Sequence, residues 1–166
     1  PVSVSDAKLK ALSDIVDSAA EDERKLVIIA RFLPEIDAIL RMLEKKAIGY
    51  SIISGEIKDR DEQVRRFQTD PDTTVFVGQI ATAGLGITLT AADTMVFYSL
   101  DYSMSNFEQA KARIHRVGQR SPCTYLYLVA AGTVDEKVLQ ALIDRADLAR
   151  ILIDEYRAGK NPFQTK

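Results

Sequence analysis

At 166 residues and 18.4 kDa the chain has the size of one domain with a core able to fold alone, and 46% hydrophobic with 28% charged residues is a globular composition. A net charge of -2 and an isoelectric point near 5.5 speak against a nucleic-acid binder driven by overall charge, so any such contact must be local. A single cysteine, Cys123, and a single histidine, His115, exclude an intrachain disulfide and a Cys/His zinc site; no apolar run reaches membrane-spanning length and no signal-peptide pattern opens the chain, so an intracellular protein without a membrane partner is expected.

Leu9, Leu12, Val16 and Ala19 recur at helical spacing between Ser5 and Ala19, which predicts an N-terminal helix within residues 1–20. Leu26 to Ala30, L-V-I-I-A, is a short continuous apolar run of the kind a strand shows when both its faces are buried in a parallel sheet. Pro34 suits a first helical position, and Ile36, Ile39, Leu40 and Leu43 supply the apolar stripe of the helix that follows. Tyr50 to Ile53 reads as a second strand and Gly55 as a turn. Asp59 to about Gln68 reads as a helix opened by the capping-box spacing Asp59…Glu62. Thr74 to Val77 is a third strand and Thr94 to Tyr98 a fourth. A helix from Ser103 to Val117 carries a possible box Ser105…Glu108; a fifth strand runs from Thr124 to Ala130; and a long helix opens at Thr133…Glu136 and runs to about Ala149, continuing toward Tyr156. Alternation of this kind implies right-handed crossovers and an α/β domain with a central, mainly parallel sheet flanked by helices. One domain is expected over 1–166, with a core of about 25–150 and a frayed tail over 157–166.

Ligands of open parallel sheets bind beyond the carboxyl ends of the strands, so the loops at Arg31-Phe32, Ser54-Gly55, Gly78 to Gly86 and Asp101 to Ser103 should share one functional edge. Within the expected helix, Gln109, Arg113 and Arg116 stand at i, i+4 and i+7 and leave one stripe, while Phe107, Ala110, Ile114 and Val117 form a second stripe for burial, and Gly118 would cap the end. Two guanidiniums one turn apart can neutralise charge on a transferring phosphoryl group, or they can form a solvated basic face. Between Glu108 and Asp135 the chain carries Lys111, Arg113, Arg116 and Arg120 and no carboxylate to pair with them in sequence. His115 lies between them and reads either as a general base or as a structural histidine; Cys123 reads as a small core-edge residue; Tyr125 and Tyr127 read as strand packing in preference to a base-stacking platform.

The glycine-bearing loop Gln79-Ile-Ala-Thr-Ala-Gly84-Leu-Gly86-Ile-Thr88 follows a strand and has the small residues that let backbone approach a phosphate. Followed by Leu89-Thr-Ala-Ala-Asp93, a strand, and Gln109-Ala-x-x-Arg113-x-His115-Arg116-x-Gly118-Gln119, it resembles the second RecA-like lobe of superfamily-two helicases, and within them the Swi/Snf family of double-stranded-DNA translocases. The resemblance runs from about Lys25 to Leu142. The family's Arg, Gly and Asn at positions 81, 83 and 88 are Ala81, Ala83 and Thr88 here, and its Asp-Trp-Asn-Pro is Asp101-Tyr102-Ser103-Met104, the marks of a divergent branch.

The resemblance implies arginine fingers at Arg113 and Arg116, nucleotide contacts from Gln109, Gly84 and Gly86, and DNA-backbone contacts from Arg31, Gly55, Thr82 and Thr88. It also implies ATP and Mg2+ held mainly by an N-terminal RecA-like lobe, because this chain has no G-x-x-x-x-G-K-[ST] loop and no acidic motif after an apolar strand. The chain itself is expected to hold no metal, to be a fragment of a larger ATP hydrolase acting on DNA, and to be inactive alone. The rival expectations are a non-enzymatic RecA-like scaffold and a small free-standing nucleotide-binding protein. The second would need a phosphate site after the first strand, where Arg31-Phe-Leu-Pro34 is not glycine-rich.

Overall fold

The computed structural model describes residues 6–55, 57–81, 86–130 and 132–158. Five strands make one sheet in the order β2-β3-β1-β4-β5, with every neighbouring pair parallel. They are β1 (Leu26–Ala30), β2 (Gly49–Ile53), β3 (Thr73–Gln79), β4 (Thr94–Phe97) and β5 (Thr124–Tyr127). The helices are α1 (Asp6–Glu21), α2 (Leu33–Lys45), α3 (Arg60–Thr69), α4 (Met104–Lys111) and α5 (Val134–Arg157). β1 lies at the centre with all five residues buried, as its uninterrupted apolar run requires when helices cover both faces of the sheet.

Alternation of side chains along the strands divides the core into two layers. Leu12 and Val16 of α1 and Ile36, Ile39 and Leu43 of α2 pack on one face, against Leu26, Ile28, Val75, Val77 and Tyr98. Phe67 of α3, Phe107 and Ala110 of α4, Ile114, and Val138 and Leu142 of α5 pack on the other, against Val27, Ile29, Phe76, Met95 and Phe97. Phe97 stacks on Tyr127 at 5.4 Å with ring planes 6° apart, which is the packing role expected of that tyrosine. β3 ends at the carboxyl edge and β4 begins at the amino edge, and between them residues 86–93 lie along this second face. Leu89 and Ala92 are buried there.

The helix expected over Ser103–Val117 is shorter. α4 ends at Lys111, and from there on the carbonyls find partners outside the helical ladder: Tyr125 Oη also donates to the Lys111 carbonyl at 3.1 Å, Leu89 N–H to that of Arg113 at 2.9 Å, and Gln119 Nε2 to that of Ile114 at 2.9 Å. Phe107, Ala110 and Ile114 keep their buried stripe, but Val117 is 100% exposed, since the chain has left the helix before reaching it. Gly118 does adopt a left-handed φ of +100°, yet it ends the turn after the helix and not the helix itself.

The three expected capping boxes also resolve differently. α4 is capped by Ser103, whose Oγ accepts from Asn106 N–H at 3.2 Å, and Ser105 accepts from Gln109 Nε2 instead. Asp59 stands at the N-cap of α3 without accepting a backbone N–H, and Glu62 is held by Arg65. Thr133 Oγ accepts from Asp135 N–H at 3.3 Å, and it is Asp135, not Glu136, that reaches back, to Ala130 N–H at 3.3 Å and Lys8 Nζ at 2.8 Å. β5 ends at Tyr127 instead of Ala130, and α5 continues to Arg157, into the expected tail; residues 159–166 lie outside the described residues.

Candidate functional site

α4 starts at the carboxyl edge and its eight residues carry the chain about 12 Å along the second face at 1.5 Å per residue. Arg113 and Arg116 therefore lie away from the carboxyl edge, on turns that follow the helix. Arg113 Nε donates to the Gln109 carbonyl at 2.8 Å, so the guanidinium caps the negative end of α4. Its Nη1 lies 3.5 Å from the Ile87 carbonyl. Arg116 Nη1 donates to the same carbonyl at 2.9 Å and to that of Gly86 at 3.2 Å. Gly86 holds a left-handed φ of +73°, which glycine adopts without steric cost and which fits the turn under the two arginines.

Both guanidiniums thus converge on neutral carbonyl oxygens, and neither has a carboxylate partner among the described residues. Burial first, and the neighbouring Arg116 charge second, lower the proton affinity of Arg113. Like charges held together over uncharged acceptors repel, and an oxyanion placed between them would relieve that repulsion. Both of Arg116's bonds use Nη1, which leaves the rest of a planar fork of five N–H donors for such an anion.

The remaining expected residues fall in two places. Arg31 and Gly55 follow β1 and β2 at the carboxyl edge. Arg31 stacks on the Phe32 ring at 4.8 Å, its N–H donates to Ser99 Oγ at 2.7 Å, and its carbonyl accepts from Gln79 Nε2 at 3.3 Å. Ser99 in turn donates to the buried Glu35 carboxylate, so this edge loop is tied to α2. Thr88 adjoins Leu89 on the arginine face, away from that edge. Gln109 is exposed and reaches the arginines through its backbone carbonyl, while its side chain turns to Ser105. Thr82 and Gly84 lie outside the described residues. His115 is exposed instead of packed, and burial pushes the half-buried Cys123 thiol up from its ordinary value.

Sequence reasoning missed the residues that hold the glycine-loop segment in place. Gln68 of α3 donates to Thr90 Oγ at 3.1 Å and accepts from Ala91 N–H at 2.7 Å, and Gln119 donates to the Ala92 carbonyl at 2.7 Å. Only the place of Gln119 at the end of the arginine motif could have drawn attention to it; Gln68 carried no signal, since its partners are 22 and 23 residues away. Among the described residues no group of three or more His, Cys, Asp and Glu side chains is placed to hold a metal ion, and no helix is long and apolar enough to cross a membrane.

The family model described as the helicase conserved C-terminal domain matches residues 7–118. The chain is similar to the chromatin-remodeling ATPase INO80 of Cryptococcus neoformans var. neoformans, 34% identical over 152 residues, covering 90% of this chain and 9% of that protein. It is similar to the INO80 of Mus musculus, 32% identical over 148 residues, covering 88% of this chain and 10% of that one. It is also similar to the lymphoid-specific helicase of Homo sapiens, 28% identical over 141 residues, covering 82% and 17%. The chain spans less than a fifth of the length of each of these relatives. The crystal structure of the C-terminal part of the Fun30 ATPase domain superposes with a TM-score of 0.77 at 23% identity, covering 81% of this chain and 44% of that one, a likeness of fold.

Proposed function

The chain belongs to the helicase conserved C-terminal domain family, and on that premise we propose that it is the C-terminal motor lobe of a Swi/Snf-type, ATP-dependent DNA translocase. It works with an N-terminal RecA-like lobe that brings the phosphate loop and the magnesium ligands. ATP and Mg2+ held on that lobe supply the phosphoryl group and the metal charge for the reaction. What this chain adds is the arginine pair.

The observation that carries the proposal is the cluster of Arg113 and Arg116 on the carbonyls of Gly86 and Ile87, with no carboxylate to satisfy them among the described residues. Lobe closure would bring the pair against the γ-phosphoryl oxygens, where guanidinium forks meet charge that grows in the transition state. Their fixed seat means that little reorganisation is required at that moment. Gln109 joins the nucleotide response to α4, because its carbonyl holds Arg113. Gly86 lets the backbone turn there, and Gly84 of the same loop is a further nucleotide contact.

Arg31 and Gly55 at the carboxyl edge, with Thr82 and Thr88 of the glycine loop, contact the phosphates of double-stranded DNA without reading its sequence.

The test is ATP turnover by this chain alone and after addition of an N-terminal lobe from the same family. The chain alone neither hydrolyses ATP nor binds it tightly, and turnover stimulated by DNA appears only with both lobes. Turnover by the pure chain would refute the proposal. DNA binding by the chain alone is weak and falls steeply with salt, as expected of a few phosphate contacts on a net acidic lobe.

A further inference from the structure

We infer that Gln119 is a positioning residue for the arginine pair, holding the turn that carries Arg113 and Arg116 in register over Gly86 and Ile87 before any phosphate arrives. Its side-chain amide is fully used. Nε2 donates to the Ala92 carbonyl at 2.7 Å and to the Ile114 carbonyl at 2.9 Å, while Oε1 accepts from Arg120 N–H at 3.0 Å and Ser121 N–H at 3.2 Å. That exhausts both donors and both lone pairs of the group.

The two segments it joins belong to neither strand nor helix. The arginine turn keeps few helical bonds, Arg113 N–H to Ala110 at 3.1 Å, His115 N–H to Lys111 at 3.3 Å and Gln119 N–H to Arg116 at 3.0 Å. The segment 86–92 has one short turn of its own, Ala92 N–H to Leu89 at 3.1 Å. Besides the arginines' own bonds to Gly86 and Ile87, two staples connect them. One is the Leu89 N–H to Arg113 carbonyl bond at 2.9 Å, and the other is Gln119, which grips Ala92 with one hydrogen and Ile114 with the other. Ile114 lies between Arg113 and Arg116 in sequence and is fully buried. Its carbonyl is thus the point from which both arginines are placed. Gly118, at φ +100°, directs the chain so that the next side chain can return to that carbonyl.

This inference rests on the reading of Arg113 and Arg116 as acting on nucleotide, and a double-mutant cycle in the two-lobe protein separates the failure of one from the failure of the other. Gln119→Leu keeps the bulk and removes all four bonds; Gln119→Glu keeps the acceptor and loses the two donors. Each lowers kcat roughly 10- to 100-fold, the scale of a misplaced reacting group, with the KM for ATP within about twofold. In an Arg113→Ala/Arg116→Ala background the same change costs less than about threefold, because its effect passes through the two arginines. In the chain alone, hydrogen exchange at Leu89 N–H accelerates in Gln119→Leu while that of the β1 amides does not.

Loss of kcat by Arg116→Ala together with full additivity of Gln119→Leu in the Arg113→Ala/Arg116→Ala background would overturn the positioning role and leave the arginine reading standing. Wild-type kcat in both Gln119 variants would overturn it too, as would Leu89 exchange at the wild-type rate. No loss on Arg116→Ala would sink the finger reading itself. A Gln119→Leu protein whose β1 amides also exchange quickly is globally destabilised, which assigns the residue to folding and overturns the inference.

Discussion

Arg116→Ala in the two-lobe protein should separate catalysis from folding by several kcal/mol. Arg116 is exposed, and its two bonds, at 2.9 and 3.2 Å, go to carbonyls at the surface that water can satisfy in its absence. Their loss costs on the order of 1 kcal/mol of stability. If Arg116 is a finger, DNA-stimulated turnover falls about 10³-fold or more, equivalent to roughly 4 kcal/mol of transition-state stabilisation. Thermal melting and steady-state turnover of the same preparations measure the two quantities. Nucleotide affinity stays within about twofold, because the interaction is made chiefly in the transition state. Arg116→Lys does not restore the rate, since an ammonium cannot reproduce the planar fork. Arg113→Ala behaves like Arg116→Ala in turnover. Lys111→Ala is the control: its ammonium lies 5.1 Å from each of the Phe107 and Tyr125 ring centres and 4.0 Å from Glu108, apart from the carbonyls that seat the arginines. Equal and modest losses at all three positions would refute the placed-finger argument and return the segment to a basic face.

Ile114→Ala should cost about 2–5 kcal/mol in denaturant unfolding, as a fully buried side chain on the α4 face, whereas Val117→Ala should stay within about 0.5 kcal/mol; similar costs at both positions would contradict the unwinding after Lys111. Gly49→Ala places a Cβ 2.1 Å from the Asp72 carbonyl oxygen, a backbone atom, and should lower stability by about 1–3 kcal/mol in the same assay; an unchanged midpoint would mean that β2 and the turn before β3 part easily. Tyr98 Oη is buried without a hydrogen-bond partner among the described residues, so Tyr98→Phe should be neutral or raise stability by up to about 1 kcal/mol at pH 7. Burial lifts the Tyr98 pKa from 10.0 to about 12, so the unfolded chain releases this proton first: its share of stability is present below pH 10, lost between pH 10 and 12, and absent from the pH profile of Tyr98→Phe. Tyr125, raised to about 12 for the same main reason, keeps part of the alkaline slope in that variant, and an identical slope in both proteins would sink the assignment.

The order of elements was legible in the chain because it rests on local periodicity. The unbroken apolar run at Leu26–Ala30 reads as a strand buried on both faces of a parallel sheet, and the stripe Ile36, Ile39, Leu43 as a helix laid on it. The arginine motif and its glycine loop were also legible, as a spacing of residue types. Where α4 stops was not, since helical spacing continues through Val117 and nothing nearby in sequence breaks it. It stops where Tyr125, Leu89 and Gln119 donate to the carbonyls of Lys111, Arg113 and Ile114, and the first two of those bonds exist only once the sheet has brought the segments together. The same closure places Arg113 and Arg116 on the carbonyls of Gly86 and Ile87, 26 to 30 residues away in sequence. Sequence alone determined which groups could meet a phosphate, because side-chain chemistry is a property of each residue. Their arrangement into one site was decided by long-range hydrogen bonds, which no local pattern encodes.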